Sequence, residues 1–382
     1  MRICAVSGSR ADWGLLKPVL NALRRSQTSV QLVATGSHLD PAFGHTLDAV
    51  TADGFAADRC VPLTRVNDAA DGVAAAMGDA LPGLTRALLD LAPDILLLLG
   101  DRYEIFAAAQ AALLSRIPIA HIAGGDISEG AYDDAMRHAI SKLAHLHFAT
   151  NEDARRRLLQ MGEADDRVFM SGSPGIDALM STPRWQRAEL EQRLGFRLRP
   201  RNLAITFHPA TLDSASPTEQ IRPLLEALES FGDDTGLIVT GSNADTGGTA
   251  IGTAMNEFVA RHDNACFCQS LGAAGYYSLL QMADAVVGNS SSGLYEAPSL
   301  RTPTVDIGIR QQGRLRGPSV RHADNHADAI VAAIRAVLDA PPDDFTNPYG
   351  DGQASERIAA VLTGIGDPTR LLQKRFVERH CD

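Results

Sequence analysis

The sequence predicts an α/β protein built as two doubly wound domains, and three observations carry that reading. Short apolar runs such as Ile95-Leu96-Leu97-Leu98-Leu99 read as strands buried on both faces, the mark of a parallel sheet. Each run is followed by a turn and then a helical stretch, so strands and helices alternate rather than cluster. The alternation starts afresh after a charged helical segment at 184–195, and 382 residues suffice for two domains of ordinary size.

In order, a first strand is expected at 2–7, then the turn Gly8-Ser9-Arg10-Ala11-Asp12-Trp13-Gly14 and a helix over 15–26. A strand, a small-residue turn and a helix suit phosphate binding by backbone N–H groups. Arg10 is placed to pair with such a phosphate; the other reading is a solvated surface arginine. The turn matches neither dinucleotide nor Walker A spacing, so neither NAD nor ATP is indicated. A strand at 30–35 leads to Gly36-Ser37-His38-Leu39, and helices follow over 43–53 and 68–91, the second interrupted near Pro82-Gly83.

After the strand at 95–99, Gly100-Asp101-Arg102 breaks the pattern, a helix covers 103–115, and a buried strand follows Pro118 at 119–122. A polar loop spans 124–130. Asp133 and Asp134 then cap a helix carrying Arg137, His138, Lys142, His145 and His147. Two successive parallel strands thus end in loops rich in carboxylates, and such loops face the binding crevice of an open sheet. Asp101, Asp126, Asp133 and Asp134 can converge there, although each alone also fits a helix N-cap. Asn151 caps a helix running to 161, 168–170 is a short strand, and the turn 172–177 leads to a helix.

In the second half, strands are expected at 203–207, 237–240, 265–268, 285–288 and 304–306. Helices are expected over 218–231, 249–262, 276–282, 294–300, 325–339 and 353–362, with a basic amphipathic helix at 368–380. The domains are therefore read as 1–182, joined by the C-terminal helix 364–382, and 183–363. The strand at 203–207 ends at His208, whose position suits contact with a phosphate or donation of a proton. Thr240-Gly241-Ser242-Asn243-Ala244-Asp245 is a second strand-end loop with side chains able to reach a ribose or base. The most specific local signal is Gly288-Asn289-Ser290-Ser291-Ser292-Gly293, followed by Leu294-Tyr295-Glu296. Small hydroxyl residues after a strand let a diphosphate approach a helix start, and Glu296, one turn in, can accept from ribose hydroxyls. Gly308-Ile309-Arg310-Gln311-Gln312-Gly313-Arg314 supplies arginines beside that site.

Composition narrows the class of function. Hydrophobic content of 45% and charged content of 21% are those of a soluble globular protein, and a net charge of −11 argues against a nucleic-acid partner. The five cysteines are scattered and odd in number, which points to a reducing, cytoplasmic compartment rather than a disulfide framework. The N-terminus enters a strand without signal-peptide features, and the apolar runs are too short to span a membrane. No ligand cluster for a metal stands out.

Taken together, GSRADWGLLKP, GDRYE, GGDISEGAYDDAMRHAISKLAHLHF, TFHPAT, TGSNAD, GNSSSGLYEAPS, GIRQQGR and NPYGDGQASERIAAVL resemble the UDP-N-acetylglucosamine 2-epimerase family, particularly its hydrolysing branch. That branch includes bacterial sialic-acid and related nonulosonate pathway enzymes and the epimerase half of the bifunctional animal enzyme. The resemblance covers nearly the whole chain. It implies two Rossmann-like domains facing across a cleft, as in B-type glycosyltransferases.

It also implies that Arg10, Asn243, Ser290, Ser291, Glu296 and Arg310 hold UDP, with His208 near the diphosphate. Asp101 and Asp133 would be catalytic, with Arg102, Arg137 and His138 at the substrate. UDP would be eliminated across C1–C2 to give a 2-acetamidoglucal, and water would then release a 2-epimeric sugar such as N-acetylmannosamine. No metal or other cofactor is needed. The implied partner is a UDP-N-acetylhexosamine, with no nucleic acid or membrane, and the implied assembly is a homodimer or homotetramer.

One departure stands out. Family members place a catalytic Glu two residues after the His of the second strand, whereas this chain reads His121-Ile122-Ala123. Asp126, His121 and Glu129 are the candidates for the missing role, and the change points to a different sugar, such as a diacetamido-trideoxyhexose. Two readings compete with an epimerase: a glycosyltransferase of the same shape, disfavoured by the Asp101/Asp133 set, and a non-catalytic nucleotide-sugar-binding protein, motivated by Ala123.

Overall fold

The computed structural model describes residues 1–40, 46–64, 70–127, 132–210, 215–241 and 248–379. It divides into two units, Met1–Ala178 with Tyr349–Asp382, and Leu179–Pro348.

The first unit is a parallel sheet in the order β3-β2-β1-β4-β5-β6-β7. Its strands are β1 (Arg2–Ser7), β2 (Ser29–Thr35), β3 (Arg59–Val61), β4 (Ile95–Leu99), β5 (Ile119–Ile122), β6 (Leu146–Ala149) and β7 (Val168–Met170). The helices between them are α1 (Arg10–Arg25), α2 (Thr46–Ala52), α3 (Ala70–Leu91), α4 (Tyr103–Leu114), α5 (Asp133–Leu143), α6 (Glu152–Gln160) and α7 (Pro174–Ser181). All five side chains of β4 are buried, as a central strand covered on both faces requires. Strand order reverses between β1 and β4, so the loops after these two strands flank the topological switch point.

The second unit repeats the plan with the order β10-β9-β8-β11-β12-β13. Its strands are β8 (Arg201–Thr206), β9 (Thr235–Thr240), β10 (Ala265–Cys268), β11 (Ala285–Gly288), β12 (Thr304–Ile307) and β13 (Val320–Ala323). Its helices are α8 (Arg187–Leu194), α9 (Pro217–Leu228), α10 (Gly248–Val259), α11 (Gly272–Met282), the single turn α12 (Ser292–Tyr295) and α13 (Ala327–Asp339). Each sheet has its own apolar core. No helix among the described residues is long and apolar enough to cross a membrane.

Several expectations are corrected. The helix α14 (Ala354–Thr363) packs with α1, burying Ile358, Ala359 and Leu362 in the first unit's core, so the boundary lies near 348 rather than 363. Helix α3 runs through Pro82 without interruption, because Leu84, Ala87, Leu88 and Leu91 continue its buried face. His145 and His147 do not ride on α5, which ends at Leu143; His147 belongs to β6. The expected stretch 294–300 breaks at Pro298 into α12 and a 3-10 turn. The tail is a 3-10 turn at Pro368–Leu372 followed by non-helical chain, not an amphipathic helix.

The tail is held by a buried ionic cluster. Glu163, 1% exposed, accepts from Lys142 Nζ at 2.6 Å, His147 Nε2 at 2.9 Å and Lys374 Nζ at 2.7 Å. Lys374 also donates to the carbonyls of Ser141, Lys142 and Ala144, the C-terminal turn of α5, where a cation suits both the free carbonyls and the helix dipole. An amphipathic pattern in sequence thus reflects docking contacts rather than helical period.

Candidate functional site

In the first unit the chemistry gathers where β4 and β5 end. Gly100, in left-handed backbone, turns the chain out of β4, and Asp101 follows. Arg137, one turn into α5 from Asp133, forms an ion pair with Asp101, both side chains largely buried. Arg137 also lies 4.0 Å from Asp134, and Asp134 lies 3.5 Å from His138. Burial and the neighbouring charge of Asp101 push the Asp133 carboxyl up, while Arg102 and Arg137 oppose the shift. Asp101, Asp133, Arg102 and Arg137 therefore form one electrostatic group.

Asp126 turns elsewhere. Its Oδ1 accepts from Thr150 Oγ1 at 2.7 Å and from Asn151 Nδ2 at 3.0 Å, both in the loop after β6. Burial pushes its carboxyl up, against the hydroxyl of Thr150 and the charge of Arg137. Arg137, which pairs with Asp101, is thus one of the charges that act on Asp126. His121 cannot serve as the missing acid or base. It is fully buried, its Nε2 donates to the Gly100 carbonyl at 2.8 Å, and burial lowers its pKa to about 3. It stays neutral and braces the loop that carries Asp101. Glu129 lies outside the described residues, as does Asn243.

Ala123, where the carboxylate is missing, adopts left-handed backbone at φ +64, with its N–H donated to the Phe148 carbonyl at 3.1 Å. Left-handed backbone costs an L-residue about 1–2 kcal/mol. Ala123→Gly is accordingly expected to raise stability by up to ~1 kcal/mol, less the entropy glycine loses on folding, and chemical denaturation measures it.

Arg10 begins α1 and is exposed, with Ser9 capping the helix by accepting from Asp12 N–H at 3.2 Å. The turn expected over 8–14 is therefore shorter than the sequence suggested, because Ser9 caps a helix that already begins at Arg10 and takes in 11–14.

In the second unit a single residue that sequence reasoning passed over ties three loops together, through its side chain and its backbone carbonyl. Asn289 accepts from the His208 N–H at 2.7 Å and donates back to the His208 carbonyl at 2.8 Å. Its own carbonyl accepts from Arg310 Nη1 at 3.2 Å and Gln311 Nε2 at 2.8 Å. The signal was present, since Asn289 opens the serine run, but the run itself drew attention to its hydroxyls. Gly288 is obligatory: at φ +140 a Cβ would strike the Thr206 carbonyl.

Ser290, Ser291 and Glu296 surround α12. Ser292 Oγ contacts Ser290 Oγ at 3.2 Å and Tyr276 Oη at 2.5 Å. Glu296 Oε2 is out of solvent and has no hydrogen-bond partner among the described residues, and burial pushes the carboxyl up to about 7. Such an orphaned carboxyl suits a ligand hydroxyl. Asn289 and Arg310 also line a cavity of about 690 Å³ with Phe207, Gln220, Ile309 and Asn325, all within the second unit.

Two α/β units with these strand-end sites define a nucleotide-sugar enzyme scaffold, and comparison with known proteins names its family. Residues 21–363 match the family described as UDP-N-acetylglucosamine 2-epimerase, and the chain belongs to it. It is 35% identical over 374 residues to the UDP-N,N'-diacetylbacillosamine 2-epimerase (hydrolyzing) of Legionella pneumophila, covering 98% of each chain. It is 37% identical over 321 residues to the GDP/UDP-N,N'-diacetylbacillosamine 2-epimerase (hydrolyzing) of Campylobacter jejuni, covering 84% of this chain and 83% of that one. The fold matches that of the UDP-GlcNAc 2-epimerase from Neisseria meningitidis bound to UDP-GlcNAc, with a TM-score of 0.77 at 20% identity over 95% of this chain and 100% of that one. Each unit is a Rossmann-like parallel-sheet α/β fold, as expected.

Proposed function

We propose that the protein is a hydrolysing 2-epimerase of a UDP-linked 2-acetamido sugar. A UDP-2,4-diacetamido-2,4,6-trideoxyhexose of the diacetylbacillosamine type is the first candidate, and UDP-N-acetylglucosamine, giving N-acetylmannosamine, the second. The observation that carries the reading is the electrostatic group of Asp101, Asp133, Arg102 and Arg137 at the ends of adjacent strands. The named activity of the relatives supports the choice of sugar.

In this reading a carboxylate of the first unit takes the weakly acidic C2 proton as UDP leaves C1, giving a 2-acetamidoglucal. Water then adds at C1 and a proton returns to C2 on the opposite face, so the sum is hydrolysis with inversion at C2. Asp133, whose pKa is raised, suits the proton carrier, with Asp101 held by Arg137 as its partner. Asp126, on which the charge of Arg137 acts, stands in for the carboxylate absent at Ala123. Arg102 and His138 contact the sugar end. His208 donates near the diphosphate, and Arg10, Asn243, Ser290, Ser291, Glu296 and Arg310 hold UDP.

Ser291→Ala combined with Arg310→Ala should weaken UDP binding severely, since charge-assisted hydrogen bonds contribute roughly 1.5–3 kcal/mol each. Calorimetry with UDP reads the loss, and unchanged affinity in the double variant would reject the site. Incubation without any acceptor separates the epimerase from a glycosyltransferase, because only the former then releases UDP together with the free 2-epimeric sugar.

A further inference from the structure

The first unit holds a buried carboxylate that the proposed reaction does not use. Glu104, two residues beyond Arg102 in the first turn of α4, has no solvent exposure. Its Oε1 accepts from Arg102 Nε at 2.6 Å, while its Oε2 has no hydrogen-bond partner among the described residues. The carboxyl presses against the backbone at the ends of β1 and β2. A Cβ at Gly8 would collide with it, and one at Gly36 would lie 3.0 Å from Oε1.

Asp12, buried in the first turn of α1, feels the charges of both Arg102 and Glu104. Burial pushes its carboxyl up to about 6, with the Ser9 hydroxyl and Arg102 opposing and Glu104 adding to the rise. A glutamate in the first turn of a helix gains from the helix dipole wherever it points. That gain does not call for burial under two glycines with one oxygen unpartnered, which is unfavourable in itself. What the burial does achieve is to fix Arg102 by its Nε edge. The arginine side chain stays 40% exposed, which leaves its far end for a ligand. A free arginine side chain has many rotamers to lose, so anchoring one edge in advance matters for contact with the other.

We propose that Glu104 is a positioning residue that holds the Arg102 guanidinium toward the sugar end of the substrate and beside Asp133. The inference rests on the reading that Arg102 contacts substrate. Glu104 acts on the substrate through Arg102, so the loss of kcat/KM on its removal should appear only while Arg102 is present.

The test is a double-mutant cycle with UDP-N,N'-diacetylbacillosamine as the probe, measuring kcat, KM and the pH profile. Glu104→Gln, which keeps the shape, should lower kcat/KM roughly tenfold, and Arg102→Ala should lower it further. The double variant should be no worse than Arg102→Ala alone. The charged groups acting on Asp133 are Asp101, Arg102, Glu104 and Arg137. Arg102 lowers and Glu104 raises the Asp133 pKa, so the acid limb of kcat/KM should move to higher pH in Arg102→Ala and to lower pH in Glu104→Gln. That shift reports each charge at Asp133, whereas a purely structural glutamate would cost the same factor in kcat/KM with or without Arg102. Multiplicative losses in the double variant overturn the positioning role of Glu104. Full activity in Arg102→Ala overturns instead the reading of Arg102 as a substrate contact. Should Glu104→Gln fail to fold, Glu104→Asp carries the same cycle.

Discussion

Asp101→Asn should lower turnover by about 10²–10⁴-fold, the usual loss for a positioned acid or base. Two effects act together. The substitution removes a carboxylate from the group that includes Asp133, and it takes from the largely buried Arg137 one of its carboxylate partners. Affinity for UDP should stay close to wild type, because most of the residues proposed to hold the nucleotide belong to the other unit. Stopped assays with calorimetry alongside separate the two quantities. Asp126→Asn should lose a comparable amount if it stands in for the carboxylate absent at Ala123. Near-normal turnover in that variant would make Asp126 a residue that merely braces the loop after β6 through Thr150 and Asn151.

Glu163→Gln should destabilise the protein by about 3 kcal/mol or more, the lower end of the loss for one partner of a buried ionic group. The lower end applies because Lys142 and Lys374 keep side-chain exposures of 39% and 23% and can rehydrate. At roughly 2–4 °C per kcal/mol for a domain of this size, the melting temperature falls by on the order of 10 °C. The pH dependence has a definite sign. Burial alone would push Glu163 up, but His147, Lys142 and Lys374 draw its pKa down from 4.5 to about 2. Its contribution is therefore complete above the ordinary carboxylate value and is lost as pH falls through about 2. Denaturation curves of wild type and variant should differ near neutral pH and converge in strong acid. A constant difference across that range would remove the ionic cluster from the explanation.

Much of this was legible in the sequence because the central strands carry unmistakable apolar runs. The expected bounds of β4, β5 and β11 match the structure to the residue. Two of the edge strands, β3 and β13, gave no such signal, although the edge strands β7 and β10 match their expected bounds. β3 is three residues with a single buried side chain, and β13 pairs along one side only with two exposed residues. β6 was missed for a different reason. Its His147 is a polar residue at a buried position, tolerable only because Glu163 accepts from it, so the strand reads as a continuation of the α5 pattern. The site was legible where residue type and position coincide, as at Asp101, Asp133 and the serines after Gly288. It was not legible where a residue acts through another. Asn289, Tyr276 and Glu104 make their contacts across the fold or into the backbone, and no spacing announces them.

The central claim is hydrolysis coupled to inversion at C2, and a proton NMR time course in deuterated water tests it most directly. With UDP-N,N'-diacetylbacillosamine, UDP should appear together with a free sugar of inverted configuration that carries deuterium at C2. Release of a free sugar with C2 unchanged and undeuterated, or formation of an epimeric UDP-sugar without loss of UDP, would contradict the account.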